Sequence, residues 1–311
     1  MSRRGWLLFA AMGVIWGMPY LLIKVADNGG VSVPVLVCTR VAIGSLLLFP
    51  VALRGGQLSR LRGNVRWLVA FTLIEIVGPF ALLSNAEKHL PSSTSGLLVA
   101  AVPIFGAIIA VLLGSADRPT PVRWIGLAIG LGGVAVLAGP GAGKGGLVPV
   151  LEVLGTALGY SIGPLIANRK LAGLPTVAVN AVCLGLAAVL YAPFAALTWP
   201  ARIPSIQVLG SLAGLGVVCT AAAFLIFFRL IAEVGPARAT VITYVNPAVA
   251  VALGVIILGE RLTPAIGLAF VFILGGSVLA TRPGKTVDVS PAVNPGTDNV
   301  TDTAVSYENN A

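Results

Sequence analysis

The sequence predicts an all-α polytopic membrane protein with ten transmembrane helices, arranged as two inverted five-helix repeats. Composition, the lengths of the apolar runs and an internal repeat predict it. Hydrophobic residues make up 57% of the 311 residues and charged residues 10%, and the mean hydropathy is +0.97. Soluble proteins carry about 25% charged residues, and so few charges cannot cover a water-facing surface. The composition therefore excludes a soluble globular enzyme and a disordered chain.

The apolar runs have the length of membrane helices. A hydrocarbon core about 30 Å thick needs roughly 20 apolar residues per helix. The first run follows Arg3 and Arg4, but it is too long for the apolar part of a signal peptide, so we expect it to be the first membrane helix. Glu75 interrupts the third run and Glu152 the sixth. Cutting the chain at charges and Pro/Gly clusters predicts spans at 5–26, 33–53, 67–86, 91–113, 122–139, 147–168, 176–198, 205–228, 236–258 and 264–281.

The basic residues predict the orientation of these spans. With a cytoplasmic N-terminus, fourteen Lys and Arg lie on the inner side and five on the outer, as the positive-inside rule requires. We expect a multi-pass protein of the plasma (inner) membrane with both termini in the cytoplasm. The net charge of +9 is explained by this placement, and no motif for nucleic acid accompanies it. The inner residues are Arg3, Arg4, Arg54, Arg60, Arg62, Arg66, Arg118, Arg123, Arg169, Lys170, Arg229, Arg238, Arg282 and Lys285; the outer ones are Lys24, Lys88, Lys144, Arg202 and Arg261.

An internal repeat divides the chain. Pro91, Pro103, Gly114 and Pro121 recur as Pro236, Pro247, Gly259 and Pro264, all at closely similar offsets. Each half would hold five helices, and because five is odd, the second half enters the membrane in the opposite sense. Such inverted repeats are common in transporters, in which the halves rock about a midplane site. We predict a first repeat at 1–141, a second at 142–281, and a polar, disordered cytoplasmic tail at 282–311.

Three stretches carry a resemblance to a known family. They are GVIWGMPYLLIKVA (13–26), CTRVAIGSLLLFP (38–50) and the run at 235–280, which contains the turn Gly259-Glu260-Arg261-Leu262-Thr263. The chain resembles the EamA-type transporters of the drug/metabolite transporter superfamily over residues 5–281. This resemblance implies a ten-helix exporter of small metabolites, often amino acids or their analogues. The first half departs from it, with Gly114-Ser115-Ala116-Asp117-Arg118 in place of the acidic turn.

Two charges inside predicted spans are candidates for function, because intramembrane charges are costly and usually have a role. Glu75 is a titratable carboxyl that could couple transport to protons; it could also be held structurally by Thr72 or by a facing helix. Arg40 could bind a substrate carboxylate through two hydrogen bonds. It could equally snorkel or brace a helix, and the resemblance supports such a structural or gating role.

Aromatic and helix-breaking residues indicate a substrate cavity. Trp16 and Tyr20 are four residues apart and would share a helical face, with Pro19 between them. Helix six carries Tyr160 among glycines and Pro164, and paired interrupted helices of this kind point to a binding site. The alternative is close helix packing through small residues. The predicted cavity comprises Trp16, Tyr20, Glu75, Pro79, Asn85, Tyr160, Tyr244 and Asn246, with Glu75 and Arg40 as coupling or gating residues.

Polar residues near the predicted helix ends have more local interpretations. Tyr244 and Asn246 could hydrogen-bond the polar groups of an amino acid, although hydroxyls in helices often bond their own carbonyls. Asn85 would lie at the outer mouth of the cavity. Glu87 and Lys88 are expected to be a solvated loop pair, and Glu260 is expected to cap a turn or a neighbouring helix end.

The sequence thus predicts an exporter of small metabolites, with amino acids favoured, working by alternating access and driven by the substrate gradient or by proton exchange through Glu75. No phosphate-binding loop, metal motif or catalytic constellation accompanies the spans, so no cofactor or metal is expected. The expected partners are a small-molecule substrate and the lipid bilayer, and a monomer is the expected form, although the sequence leaves the oligomeric state open. The alternatives are efflux of lipophilic cations, and a membrane enzyme or scaffold without transport.

Overall fold

The computed structural model describes residues 2–54, 56–113, 120–139, 146–235 and 239–281, and within these ranges all regular secondary structure is helical. The predicted disordered tail, the turn at 114–118 and the repeat boundary at 141/142 lie outside the described residues. Among those residues, nine helices are long and apolar enough to cross a membrane, and a tenth apolar helix has 17 residues. In chain order they are α1 (Arg3–Asn28), α2 (Val33–Arg54), α3 (Gln57–Ala86), α4 (Ser92–Leu112), α5 (Pro121–Ala138), α6 (Leu147–Lys170), α7 (Thr176–Leu197), α8 (Ile206–Val234), α9 (Val241–Leu258) and α10 (Pro264–Ala280).

Each predicted span overlaps one of these helices, and the differences lie at the ends. The prediction stopped the eighth span at 228, whereas α8 continues to Val234. Polar residues ended the prediction, but an amphipathic last turn at the membrane surface can carry them. There the exposed Glu233 carboxylate accepts a hydrogen bond from the Ser2 hydroxyl at 2.5 Å. We call the end of the bundle where α1 begins the near end, and the end where it stops the far end.

Several helices are interrupted inside the bundle. A break at Met18 separates Arg3–Gly17 from Pro19–Asn28, and α4 is broken between Val99 and Val102, just before Pro103. Proline lacks the N–H that would continue the helical ladder. In addition, α3 contains a π-helical segment at Thr72–Val77, and α8 contains one at Gly214–Ala222.

The carbonyls released by the π segments find side-chain donors. The Tyr191 hydroxyl donates to the Val77 carbonyl at 2.7 Å, and the Thr220 hydroxyl donates to the Leu215 carbonyl at 2.8 Å. Water is absent from the hydrocarbon core, so irregular backbone at that depth must be satisfied by protein groups. The two segments lie in helices five apart in the chain order.

Extensive helix contacts join the first half of the chain to the second. Helix α2 packs on α7, α5 on α10, α4 on α9, α3 on α6, and α1 on α8. Glycines permit the closest approach: a Cβ added to Gly126 would lie 2.5 Å from the Ala280 nitrogen and 2.8 Å from the Gly276 carbonyl oxygen. On the α2–α7 contact, the Ser45 hydroxyl donates to the Ala181 carbonyl at 2.9 Å. The two halves therefore share one core.

Candidate functional site

Four polar side chains meet inside the bundle, and we call them the central cluster: Tyr20 of α1, Arg40 of α2, Glu75 of α3 and Tyr160 of α6. Tyr20 and Arg40 are each 6% exposed. Arg40 interacts electrostatically with both tyrosines, and Tyr160 interacts with Glu75. The structure thus brings together four of the residues that the sequence predicted for the cavity and its coupling.

Arg40 is held without an opposite charge. Its Nε donates to the Thr220 hydroxyl at 3.1 Å, and its guanidinium carbon lies 3.9 Å from the centroid of the Phe80 ring. Within the described residues no carboxylate pairs with it. A guanidinium has five N–H donors in a planar fork. The contacts with Thr220 and Phe80 fix the orientation of this fork and leave donors for another acceptor.

Glu75 lies on the facing side of the cluster, against α6. Its Oε2 atom is buried and has no hydrogen-bond partner among the described residues. The expected structural partner Thr72 instead donates its hydroxyl to the Leu68 carbonyl at 2.8 Å. The carboxylate occupies the space beside Gly163 that a Cβ would fill. The glycines of α6 therefore allow α3 to pack closely, as the packing alternative expected. At Gly163, the group that fills the space is the acidic side chain of Glu75.

Trp16, Tyr244 and Asn246 have their contacts elsewhere. The Trp16 ring lies 4.7 Å from the Phe227 ring in a small apolar cluster between α1, α8 and α9. The Tyr244 hydroxyl is 2.8 Å from that of Thr281, at the near end. With its amide in the orientation that satisfies both groups, Asn246 donates to the carbonyls of Ile242 (3.0 Å) and Gly13 (3.2 Å). The break at Met18 separates Trp16 from Tyr20, so a continuous helical face is not present. Their place in the cavity stays a prediction.

Pro79 and Asn85 lie between the cluster and the far end. The Pro79 carbonyl accepts from the Thr156 hydroxyl at 3.2 Å, and the Asn85 amide donates to Glu152 Oε1 at 2.7 Å. Glu152 Oε2 is buried without a partner among the described residues. Asn85 also lines a cavity of about 400 Å³ together with Val33, Pro34, Ala81, Leu82, Tyr191 and Phe194.

The far end is closed by a contact that we call the far-end latch, in which the Glu260 carboxylate binds the first backbone N–H groups of α4. Oε1 lies 2.6 Å from the Ser92 nitrogen and Oε2 lies 3.0 Å from the Ser93 nitrogen. A carboxylate at a helix N-terminus satisfies free N–H groups and complements the helix dipole. The sequence-based expectation that Glu260 caps a neighbouring helix end is confirmed. The latch joins the two halves of the chain.

The expectation that Glu87 is solvated is wrong, because its side chain is fully buried. Glu87 Oε2 accepts from the Ser92 hydroxyl at 3.1 Å, and Lys24 donates to the backbone carbonyls of Glu87 and Leu90. Burial raises the pKa of the Glu87 carboxyl to about 8, although the positive charge of Lys24 and the hydrogen bond from Ser92 lower it in part. Lys88 and His89 beside it are exposed.

Sequence reasoning missed Thr220 and Phe80, the two side chains that hold Arg40. Thr220 lies in an apolar run in which hydroxyls usually bond their own helix, and it does so here, across five residues of a π segment. Phe80 carries no signal in a chain that is rich in apolar residues. Thr220 lies in the π segment of α8, and no sequence pattern predicts that segment.

A multi-pass helical bundle with uncompensated polar groups at its centre belongs to the class of membrane proteins that move small molecules. The profile of the EamA-like transporter family matches residues 3–139 and again residues 148–282. The chain therefore belongs to the EamA-like transporter family, within the drug/metabolite transporter superfamily.

Similar proteins are named as transporters. The uncharacterized inner membrane transporter YedA of Escherichia coli strain K12 is 30% identical over 289 residues, which cover 92% of this chain and 93% of YedA. A probable terminal-alkyne amino-acid exporter of Streptantibioticus cattleyicolor is 26% identical, over 91% of this chain and 96% of its own. A solved structure named only as "Crystal structure of protein" has the same fold, with a TM-score of 0.64 at 24% identity over 90% of this chain and 97% of its own.

Proposed function

We propose that this chain exports a small zwitterionic metabolite of the amino-acid class, bound at the central cluster. The observation that carries the proposal is the pair Arg40 and Glu75, two buried groups of opposite charge type that do not bond each other. Arg40 has N–H donors for a carboxylate. Glu75 has a free carboxylate oxygen for an ammonium group or for the proton that exchanges with it. Tyr160 interacts electrostatically with both groups, and Tyr20 interacts with Arg40.

The name of one relative supports the substrate class. The Streptantibioticus cattleyicolor protein is named as a probable amino-acid exporter, and it matches this chain along almost its whole length. An amino acid presents its carboxylate and ammonium group on one carbon atom, so a site for it needs a cationic and an anionic group close together. Arg40 on α2 and Glu75 on α3 supply one of each, and Tyr160 interacts electrostatically with both.

The mechanism that we propose is alternating access between two inverted repeats of five helices each, at 1–141 and 142–281, with ten membrane helices in all. The helix contacts support it. Exchanging each helix for the one five places along turns α3–α6 into α8–α1 and leaves α2–α7, α4–α9 and α5–α10 unchanged. The two separate matches to the family profile agree with a duplication. An exchange of this kind is what a two-fold axis in the membrane plane produces.

We propose that the protein lies in the plasma (inner) membrane, with the near end and both termini in the cytoplasm. The excess of Lys and Arg at the near end supports it. In this orientation the far-end latch closes the outer side. The substrate then enters from the cytoplasm and leaves after Glu260 has released α4.

Counterflow in proteoliposomes tests the function. Vesicles are preloaded with one unlabelled amino acid per batch, and uptake of the labelled amino acid is measured. We expect accumulation with at least one zwitterionic species, and a loss of about tenfold or more in Arg40→Gln, because a charge-assisted hydrogen bond is worth about 1.5–3 kcal/mol. The matched control is Arg202→Gln, an exposed arginine in the α7–α8 loop.

Two results would overturn the proposal. One is a flat response to all amino acids, and the other is undiminished counterflow in Arg40→Gln. The pH dependence of counterflow in Glu75→Gln tests proton coupling through Glu75. If the rate and its pH dependence stay the same as in the parent, Glu75 is not the site that couples transport to protons.

Efflux of lipophilic cations is the second candidate, and the cavity of about 400 Å³ favours it. Its lining is apolar apart from Asn85 and Tyr191. The Glu152 carboxylate, which is not part of the lining, accepts a hydrogen bond from the Asn85 amide. An organic cation could place its apolar part in this cavity. In the same vesicles, uptake of a lipophilic cation that requires Glu152 but not Arg40 would favour this function over amino-acid export.

A further inference from the structure

Six exposed cations form one edge of the bundle at the near end, and we call them the basic edge. They come from the end of α2, the start of α3 and the end of α6. No Asp or Glu occurs between residues 28 and 74 or between 153 and 232, so these segments offer them no acidic partner. All six are exposed: Arg54, Arg60, Arg62, Arg66, Arg169 and Lys170.

The first part of α3 fixes the arginines of this edge in place. It begins with a 3₁₀ segment at Gln57–Asn64, in which residues three apart share a face. Leu61 is 4% exposed and Leu58 packs against the main core, so one face of the segment is anchored in the bundle. Arg60 and Arg62 flank this anchor and are directed outward. A short, anchored segment holds its charges at a constant depth.

A tryptophan ties the second part of the edge together. The Lys170 Nζ atom lies 5.0 Å from the centroid of the Trp67 ring, and the Arg66 guanidinium carbon lies 5.2 Å from it. Cations over an aromatic face are attracted by its quadrupole. Tryptophan also favours the headgroup level of a membrane. Two cations, one from α3 and one from α6, are therefore gathered on one ring, and that ring belongs to a residue type that prefers the headgroup level.

Exposed apolar side chains continue from the basic edge toward the middle of the bundle. Leu53 is 57% exposed, Val65 is 58% exposed and Val69 is 38% exposed. A water-soluble anion would have no use for this surface, whereas a lipid has acyl chains directly behind its phosphate. Cationic groups with apolar surface below them match both parts of a phospholipid.

We propose that the basic edge is a binding site for the phosphate headgroup of an anionic phospholipid. The site is independent of the central cluster and of the substrate that passes through it. Its charges attract anionic lipids, its tryptophan sets the depth, and its apolar surface accepts the acyl chains. It differs from a general excess of positive charge because Arg3, Arg4 and Arg229 lie at the same end and none of them lies over an aromatic ring of the described residues.

Native mass spectrometry of the full chain, released from micelles that contain phosphatidylglycerol or phosphatidylcholine, tests the proposal. We expect phosphatidylglycerol to stay bound and phosphatidylcholine to be lost. The variant Arg60→Gln/Arg62→Gln/Arg66→Gln should weaken phosphatidylglycerol binding by about tenfold or more, since each basic residue near the surface adds to the attraction. The control Arg3→Gln/Arg4→Gln/Arg229→Gln removes the same charge from exposed arginines of α1 and α8. Circular dichroism confirms that both variants remain helical.

Equal losses in the two variants would overturn the proposal, because the attraction would then be unspecific. No loss in either variant would overturn it too. The acidic residues of the segment 282–311 offer a competing occupant, and a third variant addresses them. If phosphatidylglycerol binds only after Asp288, Asp298, Asp302 and Glu308 are replaced by their amides, the edge serves this segment and not a lipid.

Discussion

Glu75 and Gly163 occupy adjoining space on facing helices, so a change in one acts directly on the other. A methyl group at position 163 would overlap the Glu75 carboxylate, whereas a methyl group at Gly155 would meet only Leu82 Cδ1, at 3.2 Å. The first neighbour is buried and acidic, and the second is the flexible end of an apolar side chain. The two glycines of α6 therefore allow a comparison: a substitution at Gly163 would displace Glu75, whereas one at Gly155 would change only apolar packing.

We expect Gly163→Ala to abolish counterflow by displacing Glu75 and to cost about 1–3 kcal/mol of stability, as overpacking does. Gly155→Ala should keep most of the activity. Thermal unfolding in detergent and counterflow together check this. The double variant Glu75→Ala/Gly163→Ala should regain the lost stability without regaining transport, and a double variant as unstable as Gly163→Ala would contradict the argument.

Glu87 gives the chain a pH-dependent stability. Its pKa in the fold is about 8, above the ordinary value of 4.5, so folding favours the protonated carboxyl. The contribution is present below the ordinary pKa and is lost as the pH rises through 8. Lys24, Ser92, Ser95 and Glu260 face the carboxyl, and of these Glu260 adds to the cost of its charge.

We therefore expect the melting temperature of the parent to fall by several degrees between about pH 4.5 and pH 8 and to level off above pH 8; 1 kcal/mol corresponds to roughly 2–4 °C in domains of about 150–250 residues. Glu87→Gln removes the titrating group and should flatten the profile. Thermal unfolding at a series of pH values measures this profile. The control is Lys88→Gln, which changes the exposed neighbour of Glu87. A fall of the same size in Glu87→Gln would show that another group is responsible.

At the scale of elements, the π segments of α3 and α8 are the features that shape the central cluster. The segment at Thr72–Val77 carries Glu75, and the segment at Gly214–Ala222 carries Thr220, which orients Arg40. A π turn shifts the side chains that follow it relative to a regular helix. The cluster thus depends on irregular backbone that must be stabilised from outside the helix.

The Tyr191 hydroxyl provides this stabilisation for α3, so we expect Tyr191→Phe to cost about 1–3 kcal/mol by leaving the Val77 carbonyl unpaired. Tyr244→Phe is the matched control, because that hydroxyl bonds the exposed Thr281 at the near end, where water can replace it. Denaturation in detergent measures both. Equal losses would mean that the Val77 carbonyl does not depend on Tyr191.

The sequence predicts the spans well because hydrophobic length alone decides them, as the overlap of all ten apolar runs with helices shows. It also predicts the capping role of Glu260, since an acidic residue in a Gly-turn has few other uses. It does not predict Glu87, because the burial of a loop residue depends on Lys24 and α1, which lie more than sixty residues away. The sequence does not predict the π segments for a related reason. The π segment of α3 is stabilised in part by a hydrogen bond from Tyr191 of α7, which is distant in the sequence.

At the scale of the whole molecule, the two halves are alike in their packing but differ in their turns. The far-end latch uses Glu260, which follows Gly259; in the first half Gly114 is followed by Ser115, which has no carboxylate. In the proposed alternating-access mechanism, two repeats with similar contacts and a single latch of this kind would not populate their two states equally. In that proposal, the charged latch favours the state that is closed at the far end and receives the substrate from the cytoplasm.

We expect Glu260→Gln to raise the population that is open at the far end. A charge-assisted hydrogen bond contributes about 1.5–3 kcal/mol, so the shift should reach about tenfold or more. A cysteine in place of the buried Thr94, which lines a cavity of about 240 Å³ with Glu260, reports the opening through labelling by a membrane-impermeant maleimide. Arg261→Gln, in the same turn and cavity lining, is the control. Unchanged labelling in Glu260→Gln would mean that packing between α4 and α9, and not the carboxylate, closes the far end.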